Sequence, residues 1–133
     1  MSAGPLPSVR CLLSGLCQQQ IGAKVRFLGC VTAYSTRSAQ ITLRHDYPKT
    51  EIHTEAVVDV KLILETLNSE QTDIGQWIHV IGYLTFVEAV ITDSQSPSGS
   101  KPTPRAGVQA LLLWVAQDLD LSAYERSLSQ GIQ

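Results

Sequence analysis

The sequence contains no hydrophobic run long enough to cross a membrane, since its longest, from Ala110 to Ala116, has only the length of a β-strand. Charged residues are also scarce, at 17% of 133 residues, which argues against a disordered chain or a long coiled coil. Residues 1–17 carry one arginine and a broken apolar stretch, so no secretory signal is expected. Because 44% of the residues are hydrophobic, we expect one soluble intracellular domain with a packed core.

Cysteine and histidine are too few and too scattered to indicate a metal site. The three cysteines do not form a C-x-x-C pair, and the three histidines are too far apart in sequence to bind one metal from a single element. We expect the cysteines to be small buried hydrophobic residues in a reducing compartment, and we predict no cofactor. These residues are Cys11, Cys17, Cys30, His45, His53 and His79.

Catalytic motifs are absent as well. The sequence has no G-x-S-x-G and no H-E-x-x-H. Residues 99–101 resemble part of a phosphate-binding loop, but the upstream glycine is missing and prolines oppose the helix that should follow. Glu51, Glu55 and Asp59 are expected on the solvent side of a strand, so they do not predict an acid–base pair. We therefore predict a protein that is not an enzyme.

The charge of the chain is unevenly distributed. Residues 1–50 hold six basic residues and one acidic residue, giving +5, whereas residues 51–133 hold four and eleven, giving −7. A basic half can bind phosphates, although the acidic pI of about 5.8 argues against strong autonomous nucleic-acid binding. Chance and solvated faces are the alternative explanation.

Alternating hydrophobic residues predict a long first strand from Lys24 to Tyr34 with Gly29 at its middle, where glycine is typical of a bulge or a close contact. A polar turn at residues 35–38 and a second alternating run at residues 39–45 complete a predicted hairpin. The inward residues of the two strands are predicted to be Val25, Phe27, Gly29, Val31 and Ala33, then Ala39, Ile41 and Leu43.

The remaining chain predicts three more strands and two helices. A third strand is expected at residues 53–60, one helix at 60–68, a fourth strand at 76–91, a flexible Ser/Pro-rich loop at 93–107, a last strand at 108–117 and an amphipathic helix at 121–130. In the fourth strand, the inward residues are predicted to be Ile78, Val80 and Leu84, and the outward residues Trp77, His79, Ile81 and Tyr83.

Five strands with a helix between the third and fourth are typical of the OB-fold, a five-stranded barrel. The fold class predicted is therefore an all-β OB-fold barrel with a C-terminal amphipathic helix. We expect an N-terminal extension at residues 1–23, the barrel at 24–119 and the C-terminal helix and tail at 120–133.

Two surfaces are candidate binding sites. OB-folds bind single strands with aromatic and basic residues on the second and third strands and nearby loops, although these positions can also be ordinary loop residues. A second surface, on the first and fourth strands and the C-terminal helix, carries exposed apolar residues and predicts a protein partner, unless the helix itself covers it. The predicted nucleic-acid-binding residues are Tyr34, Arg37, Arg44, Tyr47, Lys49, Lys101 and Arg105, and the predicted partner-binding residues are Arg26, Leu28, Ile81, Tyr83, Leu121, Tyr124 and Leu128.

Several segments together resemble one known family. The N-terminal LPS and the segments GAKVRFLGCVTAY, GQWIHVIGYL and LLLWVAQDLDLSAYERSL resemble the Ten1 family, the smallest subunits of the telomere-capping CST complex, in its filamentous-fungal form. The resemblance covers residues 6–129 apart from the Ser/Pro loop. The smallest subunit of replication protein A shares the single-OB design.

The resemblance implies a nuclear, telomeric, non-enzymatic subunit without a cofactor. It implies a heterodimer with the OB domain of Stn1 inside the larger CST complex, which protects telomeric G-rich single-stranded DNA and supports fill-in synthesis by DNA polymerase α–primase. It also implies that Arg26 faces the partner, with Tyr124 and Leu128 on the C-terminal helix nearby. The alternatives are a small subunit of a replication-protein-A-like complex and an autonomous single-strand binder that uses the basic hairpin.

Overall fold

The computed structural model of this protein describes residues 7–49, 53–88 and 103–130. Five of its strands close into one barrel in the order β2-β3-β4-β6-β5, and β5 pairs again with β2. The short β1 joins the edge of β2 in parallel. This topology confirms the predicted OB-fold barrel. The strands are β1 Val9–Arg10, β2 Lys24–Ser35, β3 Gln40–Arg44, β4 Glu55–Asp59, β5 Trp77–Glu88 and β6 Arg105–Val115.

Helical segments connect β4 to β5, as predicted, but they form two short helices. The 3-10 helix Lys61–Thr66 is followed by α1, Ser69–Thr72. A new helix begins here because the Asn68 side chain accepts a hydrogen bond from the backbone of Gln71, whose own side chain accepts one from Asn68. The C-terminal helix α2 is Leu121–Gln130. Among the described helices, none is long and apolar enough to cross a membrane.

The barrel interior is filled by side chains that the alternation predicts to face inward. Each of the four predicted strands with period-two spacing contributes residues that are fully or almost fully buried. The buried residues are Val25, Phe27 and Val31, then Ala39, Ile41 and Leu43, then Ala56, Val58 and Val60, and finally Ile78, Val80 and Leu84.

The segment before the first barrel strand also fills the interior. Leu13 and Leu16 of the 3-10 helix Leu13–Gln18 are fully buried and belong to the core. A Cβ atom at Gly29 would lie 2.9 Å from Leu13 Cδ1 and 2.8 Å from Leu43 Cβ, so glycine makes room for both leucines. Residues expected to form an N-terminal extension are thus packed into the barrel.

A β-bulge in β2 reverses the side-chain alternation near the end of the strand. The register shifts between Val31 and Ala33, which leaves Thr32 as an extra residue. Ala33, predicted to face inward, is exposed, and Tyr34, predicted to face outward, packs against the core. The predicted outward orientation of Tyr34 is therefore wrong, since its half-buried ring packs against the core.

The last strand begins three residues earlier than predicted. Arg105 is in β6, so the end of the loop expected at residues 93–107 is strand. A side chain at Gly107 would overlap the Phe86 ring, which explains why glycine stands where β5 and β6 pack. Residues 93–102 of that loop and residues 89–91 at the predicted end of the fourth strand lie outside the described residues.

We expect Gly29→Ala to lower the free energy of unfolding by about 1–3 kcal/mol, because the new methyl group overpacks the space occupied by Leu13 and Leu43. Urea unfolding followed by circular dichroism measures this change. Gly15→Ala is the control, since the nearest atom to its Cβ would be 3.9 Å away. Equal stability of the two variants would contradict the proposed role of Gly29.

Candidate partner surface and candidate nucleic-acid groove

A row of apolar side chains crosses the outer wall of the barrel. Arg26 pairs with Ile81 and Ile81 pairs with Leu112, so the three side chains are neighbours on one face. Tyr83 follows Ile81 on the same face of β5, and Tyr83 and Leu112 are 37% and 58% exposed. The structure thus brings together three of the predicted partner-binding residues, Arg26, Ile81 and Tyr83. We call this row, with Leu112, the outer wall.

Aromatic residues hold the cation of the outer wall in place. The Arg26 guanidinium lies over the Trp114 ring, 5.3 Å from its centroid, and the His79 ring stacks on the Trp114 ring with 5.1 Å between the two centroids. Trp114 and Leu112 are not among the predicted partner-binding residues, because they lie in a continuous apolar run without alternation. The register shift between Ile81 and Gly82 further determines which residues of β6 face outward.

Leu28 does not belong to the exposed surface. It was predicted to face a partner, but it is 0% exposed although it lies outside the core cluster. It pairs with His79, whose ring contacts Tyr124 of α2 at 6.0 Å. The prediction of an exposed Leu28 is therefore wrong, because α2 packs onto this part of the wall.

Three segments distant in sequence hold α2 against the barrel. The Arg10 guanidinium lies 5.5 Å from the centroid of the Tyr124 ring, and the His45 and His79 rings contact the same tyrosine. His45 Nε2 lies 2.7 Å from the Glu125 carboxylate, and His45 is only 4% exposed. Burial raises the pKa of Tyr124. Of the other predicted residues on α2, Leu121 and Leu128 are half-buried.

The electrostatics of the wall keep His79 neutral. Burial lowers the pKa of His79 below its ordinary value of 6.5, and the positive charges of Arg26 and Arg10 lower it further. Each of these causes disfavours the imidazolium form. The ring therefore packs between Trp114 and Tyr124 as a neutral aromatic group.

A groove of about 500 Å³ lies between the β3–β4 loop and α2. It brings together three predicted nucleic-acid-binding residues, Arg44, Tyr47 and Lys49, with Trp77, which is predicted to face outward but has no predicted role. The remaining residues that line the groove are Cys30, Thr32, His45, Asp46, Leu121 and Glu125.

The other predicted nucleic-acid-binding residues are not in this groove. Arg37 lies in the exposed turn between β2 and β3. Arg105 lies near two carboxylates, with nitrogen–oxygen distances of 4.0 Å to Glu55 and 3.8 Å to Glu88, so its charge is partly offset. Lys101 falls outside the described residues.

The three cysteines are partly buried, which disfavours their thiolate form. Burial raises the pKa of all three thiols, that of Cys11 to about 11, whereas Cys17 and Cys30 shift in the same direction. Across residues 7–49, 53–88 and 103–130, no group of three or more His, Cys, Asp or Glu residues is arranged to hold a metal ion.

Comparison with known proteins gives the family. The family model Ten1, described as a telomere-capping CST complex subunit, matches residues 1–129. This chain belongs to the Ten1 family. The resemblance noted in the sequence is confirmed, and the chain is accordingly a telomere-capping subunit of the CST type. No curated protein sequence matches it.

Solved structures share the fold of this Ten1-family chain at low sequence identity. The S. pombe Stn1–Ten1 complex contains a chain with a TM-score of 0.65 and 19% identity, covering 96% of this chain and 93% of that one. S. pombe Ten1 alone gives 0.62 and 18%, with 93% and 96% covered. Replication protein A from U. maydis, bound to single-stranded DNA, gives 0.55 and 15%, with 94% and 91% covered.

We expect Arg26→Ala to raise the pKa of His79, because it removes one of the two cations that disfavour the imidazolium. NMR titration of the imidazole measures this value. Since the folded-state pKa lies below that of the unfolded chain, the unfolded state binds more protons below about pH 6.5, and stability falls there. Lys61→Ala is the control, and an unchanged His79 pKa in Arg26→Ala would contradict the electrostatic assignment.

Proposed function

We propose that this Ten1-family chain acts without catalysis, as the partner of the OB domain of Stn1 in a nuclear CST complex at telomeres. In this role it helps to protect telomeric G-rich single-stranded DNA and supports fill-in synthesis by DNA polymerase α–primase through the complex. The outer wall is the observation that carries the proposal. The fold shared with the Ten1 chain of the S. pombe Stn1–Ten1 complex supports the same pairing here.

The composition of the outer wall suits a protein interface. Leu112, Ile81 and Tyr83 provide an apolar centre, and Arg26 provides one cation beside it. Aromatic residues and arginine are enriched at interface cores, where they make large contacts. Because Trp114 already orients the Arg26 side chain, less conformational freedom is lost when a partner carboxylate binds.

The C-terminal helix flanks the outer wall and is part of the proposed interface. Tyr124 docks the helix beside His79, and Leu121 and Leu128 remain half-exposed on it. Leu28 is covered in this conformation, so we assign the partner contact to the outer wall and to Tyr124 and Leu128, whereas the predicted contact Leu121 lines the neighbouring groove.

A second candidate is a single-strand binder of the replication protein A type. The convergence of Arg44, Tyr47 and Lys49 in one groove favours direct DNA contact. However, the Arg44 guanidinium already binds the Asp46 carboxylate at 3.1 Å, and Arg37 and Arg105 lie elsewhere. With few cations reaching phosphates, we expect weak binding by the isolated chain and a small dependence on salt.

We expect Leu112→Glu to abolish co-purification with Stn1, because it places a charge in the centre of the apolar outer wall. The measurement is a pull-down of the tagged chain co-expressed with Stn1 from the same source. Leu62→Glu is a matched control, since Leu62 is 61% exposed and lies in the 3-10 helix between β4 and β5.

Normal retention of Stn1 by Leu112→Glu would refute the outer wall as the interface. Recovery of large replication protein A subunits from nuclear extract, instead of Stn1, would move the function to general replication. Recovery of DNA without a protein partner would support the autonomous binder.

We also expect Arg26→Glu to abolish Stn1 binding without unfolding the barrel. The change reverses a charge on the outer wall and removes a contact with Trp114 that contributes about 0.5–1 kcal/mol to stability. Pull-down measures binding, and thermal unfolding confirms the fold. Arg37→Glu makes the same charge change in the exposed turn and should retain Stn1. Equal retention by both variants would contradict the assignment.

A further inference from the structure

The groove between the β3–β4 loop and α2 has two aromatic walls. The Trp77 ring stands perpendicular to the His45 ring at 5.3 Å, and the Tyr47 ring lies nearly parallel to the His45 ring at 6.2 Å. His45 therefore forms the buried base between them, and Leu121 contributes an apolar side chain from α2. A volume of about 500 Å³ lies within the range of small-molecule sites and accommodates one nucleotide.

The groove is organised before any ligand binds. The Ser14 hydroxyl donates a hydrogen bond to the Tyr47 carbonyl at 2.7 Å, and the Tyr47 amide donates one to the His45 carbonyl at 2.9 Å. Glu125 binds His45 from the side of α2. A preorganised site loses less conformational entropy when a ligand binds.

Two cations, Arg44 and Lys49, and two carboxylates, Asp46 and Glu125, line the groove. Both carboxylates have cationic or imidazole partners, since Asp46 contacts Arg44 and His53 and Glu125 contacts His45. Lys49 is exposed and lines the same groove. An ammonium group beside two aromatic rings is the combination that binds a base and its phosphate in single-strand-binding proteins.

We propose that this groove binds one unpaired nucleotide of single-stranded DNA, with its base against Trp77 and Tyr47 and its phosphate at Lys49. The proposal rests on the proposed function in one respect, that the chain acts at single-stranded telomeric ends. It adds a site partly built by α2, and it excludes Arg37 and Arg105 from that site.

The two tryptophans of the chain allow a direct test, because Trp77 lines the groove and Trp114 lies away from it, against Arg26 of the outer wall. In the full-length Trp114→Phe variant, Trp77 is the only tryptophan, and a single-stranded oligodeoxynucleotide of about 12–16 nucleotides should quench its fluorescence. In Trp77→Phe, the same DNA should leave the fluorescence of Trp114 unchanged. Duplex DNA is the ligand control.

Affinity measurements then show how much Trp77 and Lys49 each contribute to DNA binding. Trp77→Ala should weaken binding of the same oligodeoxynucleotide roughly 5- to 100-fold, and Trp77→Phe should retain most of it because a ring remains. Lys49→Ala should weaken binding and reduce the salt slope by about 0.7, as expected for one phosphate contact on a single strand. Lys61→Ala, an exposed lysine elsewhere, should change neither. Because Lys49 is exposed, Lys49→Ala should fold normally. It therefore still tests the site if Trp77→Ala does not fold.

Three outcomes would overturn the nucleotide site. They are quenching of Trp114 instead of Trp77, unchanged affinity in both Trp77→Ala and Lys49→Ala, and loss of Stn1 binding by Trp77→Ala with DNA binding intact, which would make the groove a protein contact. A parallel pull-down of Lys49→Ala with Stn1 tests the proposed function separately. The outer wall is unchanged in that variant, so it should retain Stn1 even where its DNA binding is weaker.

Discussion

Tyr124 connects the barrel to its C-terminal helix, and the exposed surface of the protein depends on that connection. Its ring contacts Arg10 from the N-terminal strand, His45 just after β3 and His79 from β5. The ring therefore collects contacts from segments that are far apart in sequence. With α2 held in this position, Leu28 is buried, whereas the row from Arg26 to Leu112 stays open.

The same helix contributes to both candidate binding surfaces. Tyr124 packs beside the outer wall, whereas Leu121 and Glu125 line the groove with Trp77. The contact between Glu125 and His45 places the helix against the groove, and the contact between Tyr124 and His79 places it against the wall. A displacement of α2 would change the two surfaces together, so the partner site and the nucleotide site are physically connected.

The barrel could be predicted from the sequence because period-two alternation depends on local residues. The burial of Ile41, Leu43, Ile78 and Val80 follows from that pattern alone. The orientation of Tyr34 could not be predicted, because one extra residue in a strand reverses every side chain after it.

The candidate site was less predictable, since it depends on contacts between distant segments. The pairing of Arg26 with Ile81 follows from the order of strands in an OB barrel, and it is present. The cover over Leu28 requires the docked position of α2, to which Arg10 and the two histidines contribute. Trp114 and Leu112 lie in an apolar run whose outward face is determined by a bulge rather than by alternation.

The basic half of the chain shows why charge distribution alone is a weak guide to function. Of its cations, Arg10 and Arg26 lie over the rings of Tyr124 and Trp114, and Arg44 binds Asp46. These three therefore position α2, the outer wall and the β3–β4 loop before any phosphate is present. Two of them also lower the pKa of His79, which keeps a neutral ring between its aromatic neighbours. Three of the six positive charges in residues 1–50 thus have structural contacts, whereas Lys49 is exposed along the groove.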